Sequence, residues 1–314
     1  MTILFAAEGW DPAPWQKAFL AHGKGQRSLV LTTDRYDPAS IHYAAVWKPR
    51  PGLLASLPNL RAIFNLGAGV DALLADKTLP DRPIIRIVNP DLTVRMTEWI
   101  VLQALFHLRQ MPLYLEQQAR REWRQWLQPA AREVRIGLMG YGVLGRDSAD
   151  VLARLGFEVA IWARRPQPDA PYPVHVGQEG LTGFLARTDM LVVLLPLTPE
   201  TQGLLNRKLF TSLAKDGVLG GPVLINAGRG GLQSEADLLA CLDDGTLKAA
   251  SLDVFETEPL PAASPLWNHP KVVITPHVAA DSTPEGLTAG ILADIAAFER
   301  GDTLPNEVDR SAGY

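Results

Sequence analysis

The stretch that decides the fold is VRIGLMGYGVLGRDSADVLARLGFEVAIWARR, residues 134–165. An apolar run, Val134–Met139, stops at three glycines spaced Gly-x-Gly-x-x-Gly: Gly140, Gly142 and Gly145. An amphipathic segment, Leu144–Leu155, follows, and Gly156 leads into a second apolar run, Phe157–Trp162. Strand, tight turn, helix and strand in that order predict a βαβ unit. The first glycine permits the turn, the second lets backbone approach a pyrophosphate, and the third lets helix pack closely on strand. With Val143 and Leu144 between them, these glycines open a helix whose free N–H groups and partial positive charge suit phosphates. The context predicts dinucleotide binding.

The second strand of such a unit ordinarily ends on an acid, about 20 residues on, that accepts hydrogen bonds from the ribose 2′-hydroxyl. Here it ends IWARRP, with Ala163, Arg164 and Arg165 at that place. Two guanidinium groups suit a 2′-phosphate, which they grip through charge-assisted, often bidentate bonds. The other reading is a solvated basic turn ahead of the proline-rich loop Pro166–Pro173. The missing carboxylate and the added charge both favour NADP over NAD, and NADPH over NADH.

Working outward, short apolar runs alternate with amphipathic stretches almost from end to end. Ile3–Ala7, Ser28–Thr32, Ala44–Trp47, Ala62–Asn65 and Ile84–Val88 read as strands, with longer mixed segments such as Pro14–His22 and Pro51–Leu57 between them. After the deciding stretch come strand candidates Met190–Leu195, Val223–Asn226, Ala249–Val254 and Val272–Thr275. Helix candidates Leu181–Ala186, Arg207–Leu213, Glu235–Asp243 (with Ser234 as N-cap) and Pro284–Arg300 complete the pattern. Such alternation predicts an α/β protein built on a doubly wound parallel sheet of the Rossmann type. From Thr97 to Trp126 a long helical pattern, kinked or split at Pro112, reads as a connector between domains whose Trp-bearing end is available to a partner subunit; the other reading is a helical hairpin buried within one domain.

Composition narrows the function. The 314 residues are 47% hydrophobic and 20% charged, ample for a large core, and 30 Lys+Arg against 34 Asp+Glu leave a net charge of −4. That balance lacks the basic excess of a nucleic-acid binder. A single cysteine, Cys241, makes neither an internal disulfide nor a cysteine-based zinc site, and no cluster of metal ligands stands out. The apolar run Ile3–Ala7 ends at Glu8, too short for the core of a signal peptide, and no run approaches a membrane span. The expectation is a cytoplasmic enzyme with neither membrane nor nucleic acid as partner.

Three further segments put polar residues at strand ends: VLINAGRGG with Arg229, SLDVFETEPL with Asp253 and Glu258, and VVITPHVAA with His277. Ligands of open α/β sheets bind outside the carboxyl ends of strands, where these residues fall. An arginine there holds a carboxylate and polarises a carbonyl, and a histidine beside a carboxylate delivers a proton.

Together these segments resemble the D-2-hydroxyacid dehydrogenase family, in its glyoxylate/hydroxypyruvate reductase branch. The resemblance runs nearly the whole chain: VWKP (46–49), FNLGAGVD (64–71), GYGVLG, NAGRGG, SPLWNHPKV, TPHVAA and the closing VDRSAGY, in order and spacing. It implies a bilobed protein. Residues 1–97 and 285–314 would form a flavodoxin-like substrate domain, and 98–284 the dinucleotide-binding domain with the connector helix. By the same resemblance Arg229 binds the substrate's carboxylate and keto oxygen, His277 is the acid/base, and Glu258 holds its ring protonated. The backbone N–H groups of Ala68 and Gly69 would bind the carboxylate, with Trp47 and Lys48 at the pocket border. Leu195, Pro196, Ala227, Gly228, Asp253 and Ala279 match positions on the nicotinamide side. The implied reaction is NADPH-dependent reduction of a small 2-oxo acid to its 2-hydroxy acid, in a homodimer. Trp123 and Trp126 fall near where some relatives lend an aromatic residue to the neighbouring subunit.

Phosphoglycerate or D-lactate dehydrogenase activity would use the same three residues. Formate dehydrogenase relatives pair the histidine with glutamine, which Glu258 argues against. A nucleotide-sensing corepressor on the same fold is the non-enzymatic alternative. Two departures from the family pattern stand out. KDGVLGGPVLINAGRGG carries a few extra residues before its strand, expected beside Arg229, and Gly228 replaces the usual alanine, expected to leave the backbone freer.

Overall fold

The apolar runs assemble into two sheets whose strand pairs are all parallel. The structure, a computed structural model, describes residues 2–23, 28–281, 283–311 and 313; Ala312 and Tyr314 of the closing VDRSAGY lie outside them. The first sheet holds β1 (Thr2–Ala7), β2 (Ser28–Leu31), β3 (Ile41–Trp47), β4 (Ala62–Asn65) and β5 (Ile84–Arg86) in the order β2-β1-β3-β4-β5. The second holds β6 (Arg135–Met139), β7 (Glu158–Ala163), β8 (Val174–Val176), β9 (Met190–Val193), β10 (Val223–Asn226), β11 (Ala249–Leu252) and β12 (Val272–Ile274). Their order is β12-β11-β10-β9-β6-β7-β8. Counted from β6, this is the 3-2-1-4-5-6 order of a Rossmann sheet with one strand added, and the first sheet has the 2-1-3-4-5 order of flavodoxin.

The helices are α1 (Ala13–Gly23), α2 (Asp71–Leu74), α3 (Pro90–Leu108), α4 (Met111–Arg120), α5 (Val143–Arg154), α6 (Gly177–Ala186), α7 (Arg207–Thr211), α8 (Glu235–Asp243) and α9 (Pro284–Glu299). The chain divides into two units, Met1–Leu92 with Asp281–Tyr314, and Thr93–Ala280. The crossings thus fall ahead of 97/98 and 284/285.

Alternation along the strands explains the layers. In the second unit Ile136, Leu138 and Val192 face one side and pack with Ile100, Ala104, Ala149 and Leu152 of α3 and α5. Met139, Leu191 and Val193 face the other and pack with Phe184, Phe210, Leu238 and Leu242 of α6, α7 and α8. Each such Leu, Ile or Phe contributes about 1.5–3 kcal/mol by leaving water, so a sheet apolar on both faces requires helices on both. The first unit repeats the plan: Ile3, Phe5 and Phe64 pack with Trp15 and Phe19 of α1 and Leu287, Ile291 and Ile295 of α9.

Three expectations are corrected. The mixed segment Pro51–Leu57, read among the crossovers between strands, makes only a single 3-10 turn, Leu54–Ser56. The second sheet gains β8, three residues after the proline-rich loop, too brief to stand out as an apolar run. The connector ends early: Gln110 (φ 54) breaks it before Pro112, α4 restarts at Met111, and Arg121 (φ 58) ends it, leaving Trp123 and Trp126 in irregular chain.

Candidate active site

In the second unit the candidate cofactor and catalytic residues lie at or just beyond the carboxyl ends of strands. The glycine turn after β6 shows why each glycine is needed. Gly140 has φ 103, and a Cβ there would stand 2.8 Å from the Leu194 carbonyl oxygen. A Cβ on Gly145 would lie 2.0 Å from the Gly140 carbonyl oxygen, so α5 could not seat on the strand. A Cβ on Gly142 would meet nothing within 4 Å, which leaves the backbone at the start of α5 open to a ligand. Val143 and Leu144 form the first turn of α5, and β7 ends at Ala163 with Arg164 and Arg165 exposed just beyond it. Leu195 and Pro196 follow β9, the neighbour of β6 at which the strand order reverses. These features fit a dinucleotide: open space at Gly142, helix N–H groups behind it, and two exposed guanidiniums just after β7.

Arg229 stands three residues beyond β10, half-buried, and its Nη1 donates to the Gly228 carbonyl at 2.7 Å. The loop that carries it is held from below by Asn226. This buried amide accepts from the Gly228 N–H (3.0 Å) and donates to the Arg229 carbonyl (3.3 Å) and to Gln233 Oε1 (3.0 Å). Ala227 and Gly228 are buried, and a Cβ on Gly228 would meet the Leu195 carbonyl oxygen and Leu232 at 2.9 Å. Glycine here serves close packing, not the looser backbone expected. The run 215–222 that carries the few extra residues also lies elsewhere than expected: it precedes β10, whose four residues set it about 13 Å from the end bearing Arg229.

His277 and Glu258 meet side chain to side chain. Nδ1 of His277 lies 2.8 Å from Glu258 Oε2, and Glu258 Oε1 accepts the Phe255 N–H at 3.2 Å. The two side chains are 29% and 22% exposed, so the pair is shielded yet reachable. His277 has φ 56, a left-handed conformation that L residues seldom adopt. Asp253 braces this turn from β11. Its Oδ1 accepts from the Thr275 hydroxyl (2.6 Å) and the Val278 N–H (2.9 Å), and Oδ2 from the Ala279 N–H (3.0 Å). Trp99 Nε1 in turn donates to Thr275 Oγ1 at 3.1 Å. Burial pushes the Asp253 carboxyl above the ordinary carboxylate range, against these hydrogen bonds.

The remaining candidates lie in the first unit. Trp47 ends β3 and Lys48 follows it, with φ 45 and its Nζ 5.7 Å from the Trp47 ring centroid. Trp47 lies across Gly67, where a Cβ would fall 2.0 Å from its Cζ3. Beneath the same turn, buried Asn65 donates through Nδ2 to the carbonyls of Gly67 (2.7 Å) and Gly69 (2.9 Å). Because a trans peptide points N–H opposite to C=O, turning the Gly67 carbonyl inward turns the Ala68 N–H outward. Asn65, Asn226, Gln233 and Thr275 escaped the sequence reading. The available signal was an asparagine closing an apolar run two residues before a glycine, in NLGAG and again in NAGRG.

Residues 101–279 match the family model described as D-isomer specific 2-hydroxyacid dehydrogenase, NAD binding domain. The chain belongs to the D-isomer specific 2-hydroxyacid dehydrogenase family. This dehydrogenase is an oxidoreductase, and its relatives share almost its full length. It is 40% identical over 287 residues to glyoxylate/hydroxypyruvate reductase A of Yersinia enterocolitica, covering 89% of this chain and 90% of the relative. The Photorhabdus laumondii reductase of the same name is 37% identical, covering 100% of both chains. Among solved structures, the NADPH-dependent glyoxylate/hydroxypyruvate reductase of Sinorhizobium meliloti, in complex with NADP and sulfate, superimposes with TM-score 0.95 and 44% identity. That match covers 100% of this dehydrogenase and 99% of the other chain. A family member from Xanthobacter autotrophicus, in complex with NADPH and MES, gives TM-score 0.93 at 38% identity, over 100% and 99% of the chains. In the dehydrogenase fold described above, no helix among the described residues is long and apolar enough to cross a membrane, and none of their acidic, histidine or cysteine groups clusters as a metal site.

Proposed function

We propose that this dehydrogenase reduces small 2-oxo acids, glyoxylate to glycolate and hydroxypyruvate to D-glycerate, with NADPH. The observation that carries the reading is the His277–Glu258 pair, at 2.8 Å, on the strand-end edge that also bears Arg229 and the glycine turn. The S. meliloti reductase and its NADP complex support it from outside.

Bound NADPH supplies the hydride. The protein's part is orientation and charge. Arg229 grips the acid's carboxylate and keto oxygen, which fixes the keto carbon in a near-attack geometry. In the first unit, taken by itself, the Ala68 and Gly69 amides suit a carboxylate, and Trp47 and Lys48 suit the border of a substrate pocket. As negative charge grows on the keto oxygen, Arg229 stabilises it and His277 delivers a proton from Nε2. Glu258, on Nδ1, holds the ring for that transfer. Gly140, Gly142, Val143, Leu144 and Gly145 receive the pyrophosphate, while Ala163, Arg164 and Arg165 take the 2′-phosphate end. Leu195, Pro196, Ala227, Gly228, Asp253 and Ala279 enclose the nicotinamide.

The working form is a homodimer. Trp123 is 96% exposed and Leu127 93%, an apolar surface of the kind a second copy covers. Trp126 is engaged within its own chain, donating to Gln117 Oε1 at 2.8 Å beneath the Arg124 guanidinium, so Trp123 is the one that suits a neighbour's pocket. A cytoplasmic setting suits the lone, buried Cys241.

The test follows loss of reduced-cofactor absorbance with glyoxylate, hydroxypyruvate, pyruvate and phosphohydroxypyruvate, with each of NADPH and NADH. Rapid NADPH oxidation with the first two is expected. Faster turnover of phosphohydroxypyruvate or pyruvate, or a preference for NADH, would overturn the assignment.

A further inference from the structure

Two primary amides, Asn226 and Gln233, are buried together beneath the Arg229 loop, at 0% and 2% exposure. Their polarity is over-determined. The Gly228 N–H must meet Asn226 Oδ1, and the Val254 carbonyl must meet Gln233 Nε2, at 3.2 Å. That leaves Asn226 Nδ2 facing Gln233 Oε1 at 3.0 Å, a donor to an acceptor, with no group in conflict. Gln233 also ties its own N–H to the Gly230 carbonyl at 3.0 Å. The far end of the pair, Val254, sits between Asp253, which braces the His277 turn, and Phe255, whose N–H holds Glu258. One hydrogen-bonded path therefore runs from the Arg229 carbonyl through Asn226 and Gln233 to the loop that positions both Glu258 and His277. The two loops touch backbone to backbone: a Cβ on Gly230 would fall 1.8 Å from the Phe255 carbonyl oxygen.

We infer that the Asn226–Gln233 amide pair is a positioning device that keeps Arg229 in register with the Glu258–His277 pair. A hydrocarbon pair would fill the same space, but it would leave the Val254 carbonyl and the Gly228 N–H without partners and would impose no direction on either loop. Amide to amide contact, with each outer end fixed on a different loop, sets the separation of the two catalytic segments to hydrogen-bond tolerance. The inference rests on the role given to Arg229 above, and the experiment separates the two.

The experiment is a double-mutant cycle of Gln233→Leu and Arg229→Ala, read by kcat and KM for glyoxylate and by the NADPH Kd from cofactor fluorescence. Gln233→Leu should lower kcat/KM about 10- to 100-fold, the loss of one buried amide link translated into rate, with the NADPH Kd changed less than about twofold. In the Arg229→Ala background the same change should add almost nothing, because Gln233 acts through the arginine. Gln233→Asn, one methylene too short to span to Val254, should reproduce the loss with a well-folded chain and so covers a failure of the leucine variant to fold. Kinetic constants within about twofold of the parent for either folded Gln233 variant, or fully additive losses in the cycle, would overturn the inference. If Arg229→Ala alone leaves kcat/KM nearly unchanged, the role of Arg229 falls first, and the positioning inference falls with it.

Discussion

Replacing Glu258 by glutamine changes one atom and tests the proton-delivery arrangement directly. The carboxylate serves two donors at once, His277 Nδ1 at 2.8 Å and the Phe255 N–H at 3.2 Å. An amide has one acceptor oxygen. If that oxygen faces His277, the NH2 group is pressed against the Phe255 N–H; if it faces Phe255, the NH2 group donates to Nδ1 and moves the ring's proton to Nε2 as a neutral tautomer. Either way a charge-assisted hydrogen bond, worth about 1.5–3 kcal/mol, is lost from the state in which negative charge develops on the substrate. At about 1.4 kcal/mol per decade that is roughly a 10- to 150-fold fall in kcat. The assay is initial-rate NADPH oxidation at saturating glyoxylate, with cofactor affinity measured separately. A fall in kcat below about threefold, or a loss confined to KM, would refute the claim that Glu258 acts on the proton-transfer step.

Other consequences can be checked as directly. Burial and the nearby Lys248 charge hold His107 down from 6.5 to about 4. Its Nε2 lies 2.8 Å from Ser251 Oγ, whose own proton goes to Gln103 Oε1. Between pH 6.5 and 4 the unfolded chain therefore binds a proton that the native chain refuses, so stability is full above 6.5 and is lost as pH falls, by about 3 kcal/mol in all. His107→Gln should flatten that slope in urea unfolding series across the range; an unchanged slope would assign it to other groups. Arg164→Ala with Arg165→Ala should raise the KM for NADPH about 10- to 100-fold while leaving NADH nearly untouched, and equal effects on both cofactors would remove the 2′-phosphate role. Gly230→Ala places a methyl carbon 1.8 Å from the Phe255 carbonyl oxygen. It should cost about 1–3 kcal/mol by overpacking and depress kcat through the Glu258 loop; a parent-like melting temperature and rate would show that the loops separate easily.

What the sequence made legible is what chain-local chemistry dictates. The glycine turn carries its own reasons in Gly140, Gly142 and Gly145, and the parallel strands, β8 apart, are apolar runs long enough to read. His277 stood out through its setting in TPHVAA, a matter of resemblance more than of physics. The contacts that hold these groups were not legible because their partners are remote. Asp253 reaches Thr275 across 22 positions and Gln233 reaches Val254 across 21, and neither pairing leaves a periodicity behind. Lengths at element ends were similarly hidden. The split before Pro112 depends on Gln110 adopting a left-handed backbone, a tertiary outcome that propensity does not forecast.

The left-handed backbone at His277 bears on how this enzyme can be improved. A side chain other than glycine or asparagine at φ 56 carries about 1–3 kcal/mol of strain, which the Asp253 brace offsets. His277→Asn or His277→Gly should therefore melt several degrees above His277→Ala, which lacks the Glu258 bond equally, with all three losing turnover; equal melting temperatures would show that the turn is unstrained. Selection for heat resistance alone would then drift toward inactive proteins at this position. Directed evolution of a hardier catalyst would have to screen turnover after every thermal challenge and gather its stabilising changes elsewhere, on surfaces remote from this turn.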